Sequence, residues 1–113
     1  MMRIALLTLM LSTPAVAADH KPSVANGRKL YVSTGCYQCH GYAGQGGSAG
    51  VALAPETMPL DALTTFIRNS DKIMPPYPAS ILPDDQVADI HAYLVSIPRP
   101  PKSESIPLLR DLK

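Results

Sequence analysis

Gly35-Cys36-Tyr37-Gln38-Cys39-His40 is the stretch of this chain from which a fold can be argued. It contains both cysteines of the protein, separated by two residues and followed directly by a histidine. Two thiols at this spacing reach the two vinyl groups of one haem as thioethers, and the adjacent histidine then lies where it binds the iron. The motif predicts covalent attachment of haem c through Cys36 and Cys39, with His40 as the first axial ligand.

Other chemistries also use closely spaced cysteines. A redox-active dithiol normally lies between a strand and a helix, and no strand-rich segment precedes Cys36. A zinc site needs four ligands, whereas Cys36, Cys39 and His40 supply three and no second cysteine or histidine pair completes the set. A disulfide across so short a loop would remove little chain entropy from the unfolded state. The dithiol and the zinc site remain the alternatives to haem attachment.

The iron of such a haem needs a second axial ligand on its other face. Met74 lies in Met74-Pro75-Pro76-Tyr77-Pro78, far enough after His40 for the chain to pass round a flat macrocycle. The prolines fix φ and exclude helix there, so the thioether is carried on a stiff loop. We predict Met74 as the ligand, with three side chains as alternatives: Met58, His20 and His91.

The first residues are typical of a cleaved export signal. Arg3 gives a positive start, residues 4–11 are apolar, and Ala15-Val16-Ala17 is a small-residue cleavage site. The apolar run is far shorter than the roughly 20 residues of a membrane-spanning helix, and it lacks the polar face of an amphipathic one. We therefore expect residues 1–17 to be a signal peptide, the mature protein to be periplasmic, and no membrane span to remain after cleavage.

Length and charge narrow the classes of function further. With 113 residues and a formal net charge of +1, the chain is one domain at most and carries no basic field for binding nucleic acid. A mature chain of this size has thin stability margins unless something adds to its core. We place the domain at residues 18–97 and a Pro-rich tail at residues 98–113.

Hydrophobic periodicity predicts three main helices. The first helix follows Ser23 as its N-cap and ends at Gly35; the second covers Pro59–Arg68; the third opens at Pro83 and is stopped by Pro98. The predicted core-facing positions are Val24, Gly27, Leu30, Tyr31, Thr34, Leu60, Leu63, Thr64, Ile67, Val87, Ile90, Leu94 and Ile97.

Several stretches occur in the order seen in small class I c-type cytochromes, which the chain resembles over about residues 23–97. They are residues 25–31, the C-x-x-C-H motif, the glycine-rich run 41–50, residues 74–77 and residues 90–94. The resemblance implies an all-α fold wrapped round one haem, with His40 and Met74 on opposite faces of the iron and one-electron transfer as the activity. It also implies that the first and last helices cross closely, at Gly27 and Tyr93.

The chain departs from the family after its glycine-rich loop. Family members commonly have Gly-Pro there, and the proline carbonyl accepts the Nδ1 proton of the ligating histidine, whereas this chain has Gly50-Val51. A carbonyl does not depend on its side chain, so we expect Val51 to accept this bond from His40. The resemblance also places Arg68 and Tyr77 near a haem propionate, with solvent-exposed side chains as the alternative.

These features predict an electron-transfer protein rather than an enzyme, with an upstream dehydrogenase and a downstream oxidase or cytochrome as its partners. The alternatives are a fixed cytochrome subunit of a dehydrogenase complex and, with an open iron, a ligand sensor or peroxidase. Residues 36–47 and 74–83, the expected docking loops, contain no Asp, Glu, Lys or Arg, which favours an uncharged contact. The apolar end of the tail, Ile106-Pro107-Leu108-Leu109, predicts that residues 98–112 dock on a partner or on the domain itself, with a flexible tail that docks on neither as the alternative.

Overall fold

The computed structural model describes residues 19–110, and all regular structure in this range is helical. The helices are α1 Val24–Ser33, α2 Cys36–His40, α3 Leu60–Asn69, α4 Asp84–Ser96 and α5 Pro107–Arg110, with a 3-10 turn at Ser103–Ser105 before α5. The predicted all-α fold is confirmed. The predicted signal peptide, residues 1–17, lies outside the described residues. Within residues 19–110, no helix has both the length and the apolar content to cross a membrane.

The helix ends follow from local chemistry. The Ser23 hydroxyl accepts a hydrogen bond from the backbone N–H of Asn26 at 3.2 Å and caps α1. At the other end, Thr34 is the C-cap of α1, and Gly35 follows it with a positive φ of 82°. Helices α3 and α4 each begin directly after a proline, Pro59 and Pro83, because the fixed φ of proline suits a helix start. The short helix α2 was not predicted as a separate element.

Helices α1 and α4 cross in direct contact, and this crossing organises the core. A Cβ at Gly27 would overlap the backbone carbonyl oxygen of Asp89, so only glycine permits the approach. One helical turn further along, the rings of Tyr31 and Tyr93 lie 5.4 Å apart in a tilted arrangement. The implied crossing at Gly27 and Tyr93 is confirmed. The buried hydrophobic residues are Tyr31, Ala54, Leu63, Ile67, Leu82, Val87, Ile90, Tyr93 and Leu94.

The start of α1 is held by a buried carboxylate from α4. The Asp89 side chain accepts hydrogen bonds from the Ser23 backbone N–H at 2.7 Å and the Asn26 amide at 2.7 Å, and its Oδ1 lies 2.8 Å from Nε2 of His20. Burial raises the pKa of Asp89, but the hydrogen bonds outweigh it and the net shift is downward. These four residues form what we call the Asp89 clamp.

The tail lies apart from the helices that make the core. The turn Ser103–Ser105 and α5 contact each other, and within the described range neither contacts any of α1 to α4. One exposed ion pair, between Arg99 and Glu56 at 2.7 Å, joins the start of the tail to the loop before α3. Of the two predicted uses of the tail, docking on the domain itself therefore has no support from helix contacts.

Candidate haem site

The C-x-x-C-H motif forms α2, so the two cysteines lie one helical turn apart and on the same side of the helix. Both thiols are free; Cys36 is half-buried and packs against the core, whereas Cys39 is exposed. The Thr34 hydroxyl lies 3.3 Å from the Cys36 sulfur. This arrangement presents the two thiols on one side of α2 at the edge of the core, as attachment to the two vinyl groups of one haem requires.

The surroundings of the cysteines argue against the alternative chemistries. Burial raises the pKa of the Cys36 thiol, and the Thr34 hydrogen bond lowers it by less. A redox-active dithiol uses a cysteine whose pKa is lowered, so this environment disfavours the dithiol alternative. Within residues 19–110, no group of three or more His, Cys, Asp and Glu side chains is arranged to hold a metal ion, which removes support for zinc.

His40 is oriented by the loop that follows it. Its Nδ1 lies 2.7 Å from the Val51 carbonyl oxygen, and because a carbonyl only accepts, Nδ1 carries the proton. The expected bond to Val51 is confirmed in spite of the missing proline. The backbone of Gly50 approaches so closely that a Cβ there would lie 2.9 Å from the same ring nitrogen. Nε2 has no hydrogen-bond partner among the described residues, as the predicted role of His40 at the iron requires.

Met74 lies on the irregular segment between α3 and α4, half-buried against the same core cluster as Cys36 and Tyr77. The Ser70 hydroxyl donates to the Met74 carbonyl at 2.7 Å. This places the predicted thioether ligand on the core cluster that Cys36 also contacts, although its role at the iron stays a prediction.

The alternative ligands have other surroundings. His20 belongs to the Asp89 clamp, and Nε2 of His91 lies 3.0 Å from the Met58 carbonyl oxygen. One ring nitrogen of each histidine, Nε2, is therefore engaged with a protein group. Met58 is exposed and borders an apolar cavity of about 80 Å³, together with Leu53, Leu63 and Leu94 among others.

Arg68 and Tyr77 bind backbone and side-chain groups of the protein itself. The Arg68 guanidinium donates to the Tyr77 carbonyl and to the Asp84 carboxylate, each at 2.6 Å. The Tyr77 hydroxyl donates to the Thr34 carbonyl at 3.0 Å. Burial raises the pKa of Tyr77. The geometry gives these residues a structural role, and their predicted role at a haem propionate stays a prediction.

Two tyrosines support the end of the motif in a way that sequence reasoning missed. The Tyr31 hydroxyl donates to the Gly41 carbonyl at 2.8 Å, and the Tyr93 hydroxyl donates to the Tyr42 carbonyl at 2.6 Å. Periodicity predicts only packing for Tyr31, and the resemblance implies only packing for Tyr93. A tyrosine on the apolar face of a helix itself indicates a hydrogen bond, because its buried hydroxyl needs a partner.

A comparison with protein families places the chain. The family described as cytochrome C oxidase, cbb3-type, subunit III matches residues 22–94, which is more than half of the 113 residues. The chain belongs to this family of c-type cytochromes. Comparisons with curated proteins and with solved structures found no match. The cytochrome is a haem-based electron carrier, and haem c is the cofactor its family implies.

The residues of the cytochrome fit that cofactor. The two free thiols on α2 are the groups that form thioethers, and the bond to Val51 orients His40 with Nε2 available. Donor set and orientation therefore agree with a covalently held haem.

Proposed function

We propose that this protein is a periplasmic one-electron carrier whose single haem c is attached through Cys36 and Cys39 and ligated by His40 and Met74. The observation that carries the proposal is the 2.7 Å contact between His40 Nδ1 and the Val51 carbonyl oxygen. This contact sets the tautomer of His40. It leaves the lone pair of Nε2 oriented to bind a metal, directly after the two thiols in the chain. When bound, the haem supplies an iron that alternates between ferric and ferrous states.

The side chains determine how that iron is used. A thioether from Met74 opposite His40 favours the ferrous state more than a second nitrogen would, so the reduction potential is raised. Burial beside apolar residues acts in the same direction, because it disfavours the extra charge of the ferric state. Two protein ligands leave no position for substrate or oxygen. This favours electron relay over sensing of small ligands or reduction of peroxide.

The partners proposed are a dehydrogenase as donor and an oxidase or another cytochrome as acceptor. Their support is the uncharged surface formed by residues 36–47 and 74–83. Tyr42 and Ile81 on these loops are exposed, and the adjacent Ile73 is 91% exposed. A surface without charges gains little from electrostatic steering, so its partner is expected to present a matching apolar face.

A fixed subunit of an oxidoreductase complex is the second candidate, and the tail supports it. Leu108 is 86% exposed and Leu109 is exposed as well, although both stand in a short helix with an apolar sequence. In the described range this helix contacts none of α1 to α4. An exposed apolar segment that does not pack on the helices of its own domain is suited to burial in another protein.

Covalent attachment is tested by the mass of the exported, mature protein under denaturing conditions. We expect the mass of residues 18–113 plus one haem for the wild type, and no retained haem for the double variant Cys36→Ala/Cys39→Ala. Met74→Ala is the matched control, because it should keep the haem while changing the absorption that reports axial ligation. A wild-type mass without haem would contradict the proposal.

Shuttle and subunit are separated by mild purification of the mature protein from its native periplasm. Mass spectrometry then identifies any protein that co-elutes in a fixed ratio. A co-eluting dehydrogenase would make the cytochrome its electron-accepting subunit, whereas recovery of the cytochrome alone would make it a diffusing carrier.

A further inference from the structure

The segment between α3 and α4 that carries Met74 has few backbone donors of its own. Residues 75, 76 and 78 are prolines, so between Met74 and Ala79 only Tyr77 has an N–H to donate. That N–H donates to the Ile67 carbonyl at 2.7 Å, in the last turn of α3. Side-chain hydrogen bonds are therefore needed to hold the segment in place.

Three side-chain bonds hold this segment. Ser70 donates to the Met74 carbonyl at 2.7 Å, and Arg68 donates to the Tyr77 carbonyl at 2.6 Å. The Tyr77 hydroxyl donates to the carbonyl of Thr34 at 3.0 Å, close to the start of α2. Together the bonds tie Met74 to Ser70, directly after α3, and tie Tyr77 both to Arg68 of α3 and to Thr34, just before the cysteines.

Arg68 joins three parts of the chain. Its side chain is only 18% exposed, and its second terminal nitrogen binds the Asp84 carboxylate, which opens α4. One guanidinium thus joins α3, the Met74 segment and the start of α4. The planar fork of the guanidinium lets two separate nitrogens bind a carbonyl and a carboxylate together.

We propose that Arg68 is a positioning residue that keeps the Met74 segment, and with it the Met74 thioether, in place over the haem. This inference rests on the proposed function, because it takes Met74 as the second axial ligand. Without Arg68 the Tyr77 carbonyl loses its bond and the segment loses its link to α4. The fraction of molecules with Met74 off the iron then rises, and an external ligand gains access in proportion to that fraction.

The test measures binding of imidazole to the oxidised, haem-loaded protein through the shift in its absorption. We expect Arg68→Gln to bind imidazole about tenfold more tightly than the wild type, because the open fraction grows by that factor. Arg68→Lys keeps one charged donor but lacks the fork, so its affinity should fall between the two. If Arg68→Gln fails to acquire haem, the imidazole affinity of Arg68→Lys is compared with that of the wild type instead.

The matched control is Arg99→Gln, the same change at an exposed ion pair away from this segment. All variants are compared under conditions where circular dichroism shows them fully folded, so a general loss of stability does not produce the effect. If neither Arg68 variant binds imidazole more than twofold tighter than Arg99→Gln, the positioning role is wrong. If Met74→Ala binds imidazole no better than the wild type, the ligand assignment in the proposed function fails instead, and this inference fails with it.

Discussion

Three side chains hold backbone carbonyls around the end of the C-x-x-C-H helix: His40 at Val51, Tyr31 at Gly41 and Tyr93 at Tyr42. Each such bond contributes about 0.5–1.5 kcal/mol net. Because the acceptor is always backbone, the residue that supplies it is free to vary. This explains why valine at position 51 keeps the orientation of His40 although the family pattern has proline there.

Gly27 is the residue at which the helix crossing is most sensitive. A Cβ there would overlap the Asp89 carbonyl oxygen, so Gly27→Ala should force α1 and α4 apart. Overpacking of this kind costs about 1–3 kcal/mol, more than the roughly 1 kcal/mol by which alanine improves an exposed helix. We expect a lower midpoint of urea unfolding.

Gly47→Ala is the control for this change, since a Cβ at Gly47 meets its nearest neighbour at an ordinary 3.6 Å. It should shift the midpoint little. A Gly27→Ala protein as stable as Gly47→Ala would show that the helices do not cross as described.

Asp89 should make folding stability depend on acid pH. Its folded-state pKa is lowered from the ordinary 3.8, so the stability it contributes is complete above pH 3.8 and is lost as pH falls through the lower folded value. Asp89→Asn should cost about 1–3 kcal/mol at pH 7, because one amide oxygen replaces two carboxylate oxygens facing several donors. The difference from the wild type should shrink below pH 3.8.

The measurement is the free energy of unfolding of both proteins between pH 7 and pH 2. Asp71→Asn, at an exposed carboxylate outside the clamp, gives the effect of removing a charge alone. A gap between wild type and Asp89→Asn that stays constant down to pH 2 would argue against a clamp made by the ionised carboxylate.

At the scale of the elements, α1 depends on both its own cap and a distant one. The Ser23 hydroxyl serves the Asn26 N–H within the helix, while Asp89 from α4 accepts from the Ser23 N–H. Two of the backbone donors at the start of the helix are thus satisfied. The helix is positioned by α4 at its first turn as well as at the crossing.

Ser23→Ala removes the local cap and leaves the Asp89 bond to the backbone intact. We expect a loss of about 1 kcal/mol in thermal or urea unfolding. Ser33→Ala is the same substitution at the exposed end of the same helix, where the hydroxyl binds only the Leu30 carbonyl, and it should change stability little. Equal effects at the two serines would mean that the Ser23 hydroxyl does not act as a cap.

At the scale of the whole molecule, the protein consists of a helical core that contains the motif and a tail that extends from it. The tail helices in the described range contact only each other. The Arg99 to Glu56 pair is exposed on both sides, and such pairs contribute about 0–1 kcal/mol. The core is therefore expected to fold without the tail.

Truncation after Ile97 tests this division. We expect the melting temperature to fall no further than in Arg99→Gln, which removes the same ion pair, while co-purification of a partner is lost. A large fall in melting temperature would show that the tail stabilises its own domain. Unchanged recovery of the partner would overturn the proposed docking role.

Patterns that act over a few residues were predicted correctly. The Ser23 cap and the proline starts of α3 and α4 depend on neighbours within one or two helical turns. So do the apolar stripes, although Val24 and Leu60, at predicted core-facing positions, are exposed. For that reason they predicted the helical fold and its helix boundaries to within about one or two residues. Even the bond from His40 to Val51 was expected, since it needs only a carbonyl in a loop close to the motif.

Contacts that join distant segments depended on the tertiary structure. Nothing in the sequence neighbours of Asp89 shows that its carboxylate caps α1. His20 is a candidate iron ligand by residue type, but the fold places its Nε2 on that carboxylate. Arg68 likewise finds Tyr77 and Asp84 only after α3 and α4 are packed. A periodic pattern identifies which face of a helix is buried, but the partner of a buried polar group is chosen by the packing of elements far apart in the chain.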